Sequence, residues 1–471
     1  MTVTAAEAAQ LVITLPWANR QEAIIQTFLS ATRLVSYWDR LRTSFWFLPS
    51  AMAGAAIILS VALIRLDTSV SSEWIDELGW IYSFGPEGAR AILSAIASSM
   101  ITVAGLTFSI TMLTLQLASS QFGPRILRNF MRDRGNQVVL GTFIATFIYC
   151  LLVLRTVRGT EEASFVPHLS VAFGVLLALA SIGVLIYFIH HVATAIRVEA
   201  LLEALAVETR ATIDRIYPER LGRDPPEGEP SGSEVPDALD SDFQLIAAET
   251  NGYVQRVDVE ALMGIATEHD LVVIIEARPG RFVTERDAVF KVHGADRASD
   301  DVADMLRGTF VIGEERTPEQ DLEFSIHRIV EIAQRSLSPG INDPTTALYC
   351  IDRLGEAFGR LADREIPAPM RYDEKRRLRV VTEVISLEQL AGPAFAAIAR
   401  YGIADADVVR HLLATLESLR RTKPLAESTQ LIGMIDEIGR ESAARLALSF
   451  DRRAIHERAR SGSPSQSKPE A

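Results

Sequence analysis

Charge is missing where a water-soluble protein would carry it. From Ala91 to Gly123 the chain runs AILSAIASSMITVAGLTFSITMLTLQLASSQFG without one charged side chain, and Arg90 and Arg125 bracket the run. That length exceeds the ~20 mostly apolar residues a bilayer crossing needs. Cysteine is scarce as well. Cys150 and Cys350 are the two in the chain, one in an apolar run and the other in a polar half, which argues against a disulfide framework. The opening MTVTAAEAAQLVITLPWANR lacks a basic region ahead of its apolar stretch and does not read as a cleaved signal peptide. The sequence also has no GxxxxGK phosphate loop, HExxH, CxxC pair or GxSxG elbow. No apolar run carries paired carboxylates or a nucleophile beside a base. No catalytic residue, metal site or cofactor is therefore expected, and the chain reads as a non-enzyme.

The charge that is present is unevenly placed. Of the 47 Lys+Arg and 60 Asp+Glu, 13 and 12 fall at or before Glu199 and 34 and 48 after it. A nearly neutral front part thus precedes an acidic back part. Nucleic-acid partners are excluded, because neutralising phosphates needs clustered cations.

Four apolar runs in the front part predict membrane helices at 45–64, 91–117, 138–157 and 169–192. Arg155 near the end of the third can reach the interface along its own stem. All five tryptophans lie between positions 17 and 80, with Trp38, Trp46, Trp74 and Trp80 close to the ends of the first hairpin, where an aromatic belt belongs. Arg20, Arg33, Arg40 and Arg42 precede the first span. Arg125, Arg128, Arg132 and Arg134 separate the second from the third, and Arg197, Arg210 and Arg215 follow the fourth. Asp67, Glu73, Asp76, Glu77 and Glu87 crowd the loop between the first two. Positive-inside reasoning puts both termini in the cytoplasm of a multi-pass inner-membrane protein. Residues 21–42 read either as a helix lying on the inner leaflet or as one packed on the soluble part.

The second span has an unusual edge. At about 100° per residue, Ser94, Ser98, Thr102, Gly105, Ser109, Gln116, Ser119 and Ser120 share one stripe, and Ile96, Met100, Val103, Ile110 and Leu117 lie opposite. Such an edge either packs closely on another helix or lines a wet path.

The chain is expected to divide into an N-terminal arm (1–43), a four-helix membrane domain (44–192), a helical extension (193–217) and a flexible Pro/Gly/Ser/Glu linker (218–241). A small β-rich cytosolic module (242–314), a helical region (315–450) and a disordered tail (451–471) follow. The fold class is an α-helical membrane domain followed by a cytosolic α+β region. No breaker interrupts the residues after the fourth span until Pro218, so that helix is expected to run on, with Leu202, Leu205, Thr209, Thr212 and Ile216 on one face. Short strands are predicted at 243–248, 253–257, 271–276, 282–283 and 289–292, and a helix at 260–269. The Gly and Pro-Gly turns faintly resemble a biotinyl/lipoyl-type barrel. The lysine such a carrier modifies is absent from a hairpin tip, so a carrier role is rejected. Thr317 to Gln320 form a capping-box pattern, ahead of a buried face of Leu322, Ile326, Ile329, Val330, Ala333 and Leu337. Gly340 suits a left-handed residue and Asp343 an N-cap before Pro344. Further helices are predicted at 386–401, 405–421 and 426–448.

Three groups have side chains suited to chemistry. His190 and His191 close the fourth span, but neighbours on a helix point about 100° apart, a poor geometry for chelation, and they read as interfacial anchors, as does His168. His327, Arg335, Ser338, Asn342 and Asp343 surround a helix-to-helix turn that offers a small anionic ligand exposed amides, although the same residue types are what such a turn needs. Arg371, Lys375, Arg376, Arg377 and Arg379 form the densest basic cluster, read as a solvated face.

Residues 100–157, the FVPHLSV of 165–171, the IYFIHHV of 186–192 and the LSPGINDPTTA of 337–347 together resemble a bacterial family of predicted membrane proteins, domain of unknown function 2254. The resemblance covers nearly the whole chain. It implies an integral inner-membrane protein with several N-terminal spans and a cytosolic C-terminal region, and it carries over no substrate or catalytic residue.

Two functions are open at this point. One is a homo-oligomeric channel or transporter for a small ion, with the second span lining a polar path and the cytosolic region regulating it. The other is a membrane-tethered sensor or scaffold whose cytosolic region binds a small ligand or a protein.

Overall fold

The computed structural model describes residues 45–69, 85–122, 133–160, 163–195, 197–216, 243–294, 299–364 and 368–461. The arm before 45, with its interfacial helix, lies outside the described residues. So do the linker expected at 218–241 and most of the charged loops used for orientation.

The described residues form two compact units, divided in the chain between Ala200 and Leu201. The first holds four apolar helices: α1 (Phe47–Ser69), α2 (Pro86–Phe122), α3 (Arg134–Thr156) and α4 (His168–Ala195). Each is long and apolar enough to cross a membrane, and each overlaps one of the predicted runs. The short antiparallel strands β1 (Arg158–Thr160) and β2 (Ala163–Phe165) join α3 to α4.

Helix α3 is the centre of this unit. Of its apolar window 44% is buried, against 17%, 28% and 22% for α1, α2 and α4. Small residues permit that position. A Cβ at Gly141 would lie 2.5 Å from Met52 Sδ and 3.2 Å from the Pro49 Cα, so α1 approaches to backbone distance there. Without a hydrophobic force between helices in lipid, such close packing and polar bridges hold a bundle together. Thr146 Oγ1 and Ser181 Oγ, 3.2 Å apart and buried, link α3 to α4. At one end of the unit the Asp67 carboxylate accepts from the N–H groups of Leu169 and Ser170, both at 2.9 Å, and from the Ser170 hydroxyl. It thereby satisfies two first-turn amides of α4, which have no partner of their own in the helix. Tyr149 donates to the Ser170 carbonyl and Arg90 to that of Val157, both at 2.9 Å.

The second unit begins with most of α5 (Val198–Ile216). The fourth span does not run on as one helix: α4 ends at Ala195, and Arg197 is not helical. The apolar face of α5 is nonetheless buried, through Leu201, Leu202, Leu205, Ala206, Thr209, Thr212 and Ile213.

Strands and helices alternate after it: β3 (Phe243–Ala247), β4 (Gly252–Val257), α6 (Val259–Glu268), β5 (Val272–Ile275), β6 (Phe282–Val283), β7 (Ala288–His293), α7 (Asp300–Gly308) and β8 (Phe310–Gly313). The long helices α8 (Leu322–Ser336) and α9 (Pro344–Ala362) follow, then the hairpin β9 (Met370–Tyr372) and β10 (Leu378–Val381). Helices α10 (Leu387–Gly402), α11 (Ala406–Arg420), α12 (Thr429–Arg445) and α13 (Ser449–Ser461) close the chain. One sheet has the order β3-β7-β5-β10-β9 and the other β6-β4-β8. Among the described residues only the β10–β5 pairing is parallel. Ile246, Val254, Leu262, Val273, Phe290, Leu306 and Val380 fill the core beneath the sheets.

Four further expectations need correction. The hairpin at 370–381 lies inside the region expected to be helical, yet β10 inserts beside β5, so one sheet draws strands from both sides of α8 and α9. The start of α8 is not Thr317: Asp321 is the N-cap and accepts from Phe324 N at 2.9 Å. Gln320 is drawn away to the backbone of Val257, accepting from its N–H and donating to its carbonyl. The left-handed residue between α8 and α9 is Asn342, with φ 49°, not Gly340, a conformation asparagine tolerates better than other side chains. The tail expected to be disordered from 451 is helical to Ser461, anchored by the fully buried Ile455.

Candidate functional site

The polar edge of α2 is built from residues that point away from the rest of their unit. Ser94, Ser98, Thr102, Gly105, Ser109 and Gln116 are all exposed, and nothing lies within 4 Å of where a Gly105 Cβ would be. The inward face is the opposite one: Ala89, Leu93, Ala97, Met100, Ala104, Thr107, Thr111, Thr114 and Ala118 are buried. The hydroxyls of Thr102 and Ser109 donate to carbonyls four residues back, at 2.8 and 2.9 Å. That arrangement satisfies the hydroxyl hydrogens and leaves oxygen lone pairs facing outward along the edge.

The helix is also long. Its 37 residues span roughly 55 Å at about 1.5 Å each, well beyond the ~30 Å of hydrocarbon. Arg90 is level with the end of the 23-residue α3 through its bond to Val157, so α2 overshoots the start of α3 by roughly 13 Å. Gln116 lies in that overshoot. The sequence stripe left out Thr107, Thr111 and Thr114, which are 2%, 4% and 8% exposed. Their three-to-four-residue spacing from one another, continued by Ala104 before and Ala118 after, was the available signal for a close-packing seam.

The α8–α9 turn consumes most of its own polar groups. Asp343 caps α9, accepting from Thr346 N at 3.1 Å and the Thr346 hydroxyl at 2.6 Å. Ser338 donates to the Arg335 carbonyl at 2.6 Å, and the N–H groups of Ile341 and Asn342 both go to the Ser338 carbonyl. His327 and Asn342 are exposed, and Arg335, Ser338 and Asp343 are half-buried. The side-chain and backbone bonds here are those of a helix cap and turn.

The basic cluster is not one solvated face. Lys375, Arg376 and Arg377 sit exposed at the tip of the β9–β10 hairpin, whereas Arg371 and Arg379 are buried. Arg379 bridges Asp373 at 2.9 Å and Asp270 at 2.8 Å. Burial would raise the Asp373 carboxyl. The N–H groups of Arg377 and Lys375 and the Arg379 guanidinium outweigh it and hold that carboxyl below the ordinary range.

The first helix of the second unit is tied down by charge. Glu208 pairs with the buried Arg328 at 2.9 Å, Asp214 with Arg360 and Arg364, Glu203 with Arg353, and Arg210 with Glu356. Desolvation pushes the Glu356 carboxyl up, but Arg353 and Arg210 bring it below its ordinary value. Thr212 and Arg215 donate to the carbonyls of Pro318 and Glu319. Among the described residues no three His, Cys, Asp or Glu side chains are placed to hold a metal ion, and Cys150 and Cys350 are free and buried.

Four apolar spans followed by an α+β unit define an integral membrane protein. The family described as "Predicted membrane protein (DUF2254)" matches residues 42–418, and the chain belongs to it, as the motifs implied. Its relatives include the uncharacterised proteins Rv1290c of Mycobacterium tuberculosis and Mb1321c of Mycobacterium bovis. Each is 33% identical over 439 residues, covering 91% of this chain and 82% of the relative. No solved structure matches.

Proposed function

We propose that the protein is a homo-oligomeric channel or transporter for a small ion in the bacterial inner membrane, without enzymatic activity. Both termini are cytoplasmic in this reading, and the α+β unit regulates conduction. The observation that supports it is the outward exposure of Ser94, Ser98, Thr102, Gly105, Ser109 and Gln116. An edge of oxygen atoms facing lipid gains nothing over an apolar one. Repeated around a symmetry axis, it forms a column of hydroxyls and carboxamides that replaces part of an ion's hydration shell. Four spans leave little room for a pore inside one copy, so the path requires association.

The ion-paired α5, which begins three residues after α4 ends, supports the regulatory role of the second unit. The exposed α8–α9 turn is its candidate for a small anionic ligand. In the rival reading, a sensor or scaffold, the α2 edge merely joins copies. Reconstitution into proteoliposomes separates the two. Ion flux that falls when Ser98 and Thr102 are replaced by leucine supports conduction. Verified insertion with no flux under any pH, voltage or salt gradient supports the rival.

A further inference from the structure

The two ionisable side chains that meet at the outgoing end of the membrane unit come from different spans and are 58 residues apart in sequence. Asp133 is the N-cap of α3: its Oδ1 accepts from Gly135 N at 2.9 Å. Its Oδ2 lies 2.5 Å from His191 Nε2, near the end of α4, with both side chains about three-quarters buried. The Tyr187 ring, one turn earlier on α4, stacks on the imidazole with centroids 5.4 Å apart and planes 15° from parallel.

Gly135 makes room for this arrangement. A Cβ there would stand 2.8 Å from His191 Nε2 and 3.1 Å from both the Tyr187 hydroxyl and Asp133 Oδ1. Three polar groups therefore converge over one backbone atom, from the start of one span and the end of the next.

We propose that Asp133 and His191 form a protonation-dependent latch that fastens α4 to α3 where the chain leaves the membrane unit. With the imidazole protonated, the contact is a charge-assisted bond, roughly twice the strength of one between neutral groups. The carboxylate also sits at the positive end of the α3 dipole. With the imidazole neutral, the full charge pairing is lost and only an ordinary hydrogen bond remains. Histidine is the side chain whose ordinary titration falls between about pH 5 and 8.

Among the described residues, the charged and titratable groups near the pair are these. On α3 the neighbouring charge is Arg134, and on α4 the neighbouring titratable groups are Tyr187 and the exposed His190. From Ala91 to its end α2 carries no charge, and the charges of α1, Arg65 and Asp67, lie at its other end. Four residues separate His191 from the end of α4, so the latch governs the last turn of the span that leads into α5.

Hydrogen exchange on the full-length protein in detergent tests this without reference to conduction. After correction for intrinsic exchange chemistry, protection of the amides at 135–141 is expected to fall about tenfold from pH 5.5 to pH 8. The amides of Leu169 and Ser170, held by Asp67 at the opposite end, are expected to stay level. His191→Gln and Asp133→Asn are each expected to flatten the pH dependence at 135–141. Equal loss at both ends of the wild-type unit, no loss at either, or an unchanged pH dependence in the variants would each overturn the latch.

Discussion

Replacing Arg379 with methionine removes the counter-ion of a buried carboxylate and leaves its fixed donors in place. Arg379 and Asp373 are 5% and 4% exposed at their side chains and 2.9 Å apart. Breaking a buried pair from one side costs about 3–5 kcal/mol, because the remaining charge stays desolvated. Here the lower end applies. Asp373 keeps the N–H bonds of Lys375 and Arg377, at 2.8 and 2.9 Å, and Asp270, the other partner of Arg379, is half-exposed and rehydrates. About 3 kcal/mol corresponds to roughly a hundredfold shift in the opening equilibrium.

Cys350 reports that opening. It is fully buried in the same unit, and burial raises its thiol well above the ordinary value, so it reacts only when exposed. Its alkylation, resolved from that of Cys150 by mass spectrometry, is expected to run on the order of a hundredfold faster in Arg379→Met. The double change Arg379→Met with Asp373→Asn is expected to recover much of that loss, since no unpaired charge remains. Acid acts in the same sense. A carboxyl held low in the folded chain contributes stability above its unfolded value of ~3.9, and that contribution disappears as pH falls through the lower folded value. Corrected for the thiolate fraction of a free cysteine at each pH, labelling of wild type should therefore accelerate below about pH 4, and less so in the double variant. Equal labelling rates in Arg379→Met and wild type would refute the buried-pair reasoning.

Gly280→Ala places a Cβ 2.2 Å from Asp321 Oδ2 at a φ of +91°, so it disturbs the cap of α8 and its bidentate bond from Arg316. The expected cost is about 2–3 kcal/mol, combining the left-handed penalty with the lost cap, measured as faster Cys350 labelling. Asp67→Ala strips the N-terminal bonds of α4 and should cost about 1–2 kcal/mol, read from thermal unfolding in detergent, with Asp67→Asn falling between it and wild type.

The membrane half was legible because lipid imposes one rule. Every spanning backbone must satisfy itself, so runs of apolar residues mark helices with few alternatives. Helix starts in the second half were legible where a cap was local: Ser386, Asp405 and Asp343 each bond within three residues of themselves. What escaped was set by distant partners. Thr317 lost its role to Asp321 because Gln320 bonds β4, 63 residues away. The β9–β10 hairpin is short and rich in arginine, and only its position beside β5 makes Arg379 an interior residue. His191 read as one of an adjacent pair of histidines, since the carboxylate that engages it is 58 positions earlier. The edge of α2 was visible as a stripe, but its direction depends on which face the neighbouring spans cover.

Cysteine scanning in intact membranes tests that direction and its use most directly. Single cysteines at Ser94, Ser98, Thr102, Gly105, Ser109 and Gln116, with Leu106 and Leu113 on flanking exposed positions as controls, would be treated with a charged, membrane-impermeant thiol reagent. A wet path through an assembly requires modification along the stripe and none at the two controls. Silence at every position from Ser98 to Ser109 would contradict it, leaving that edge as a dry contact between copies.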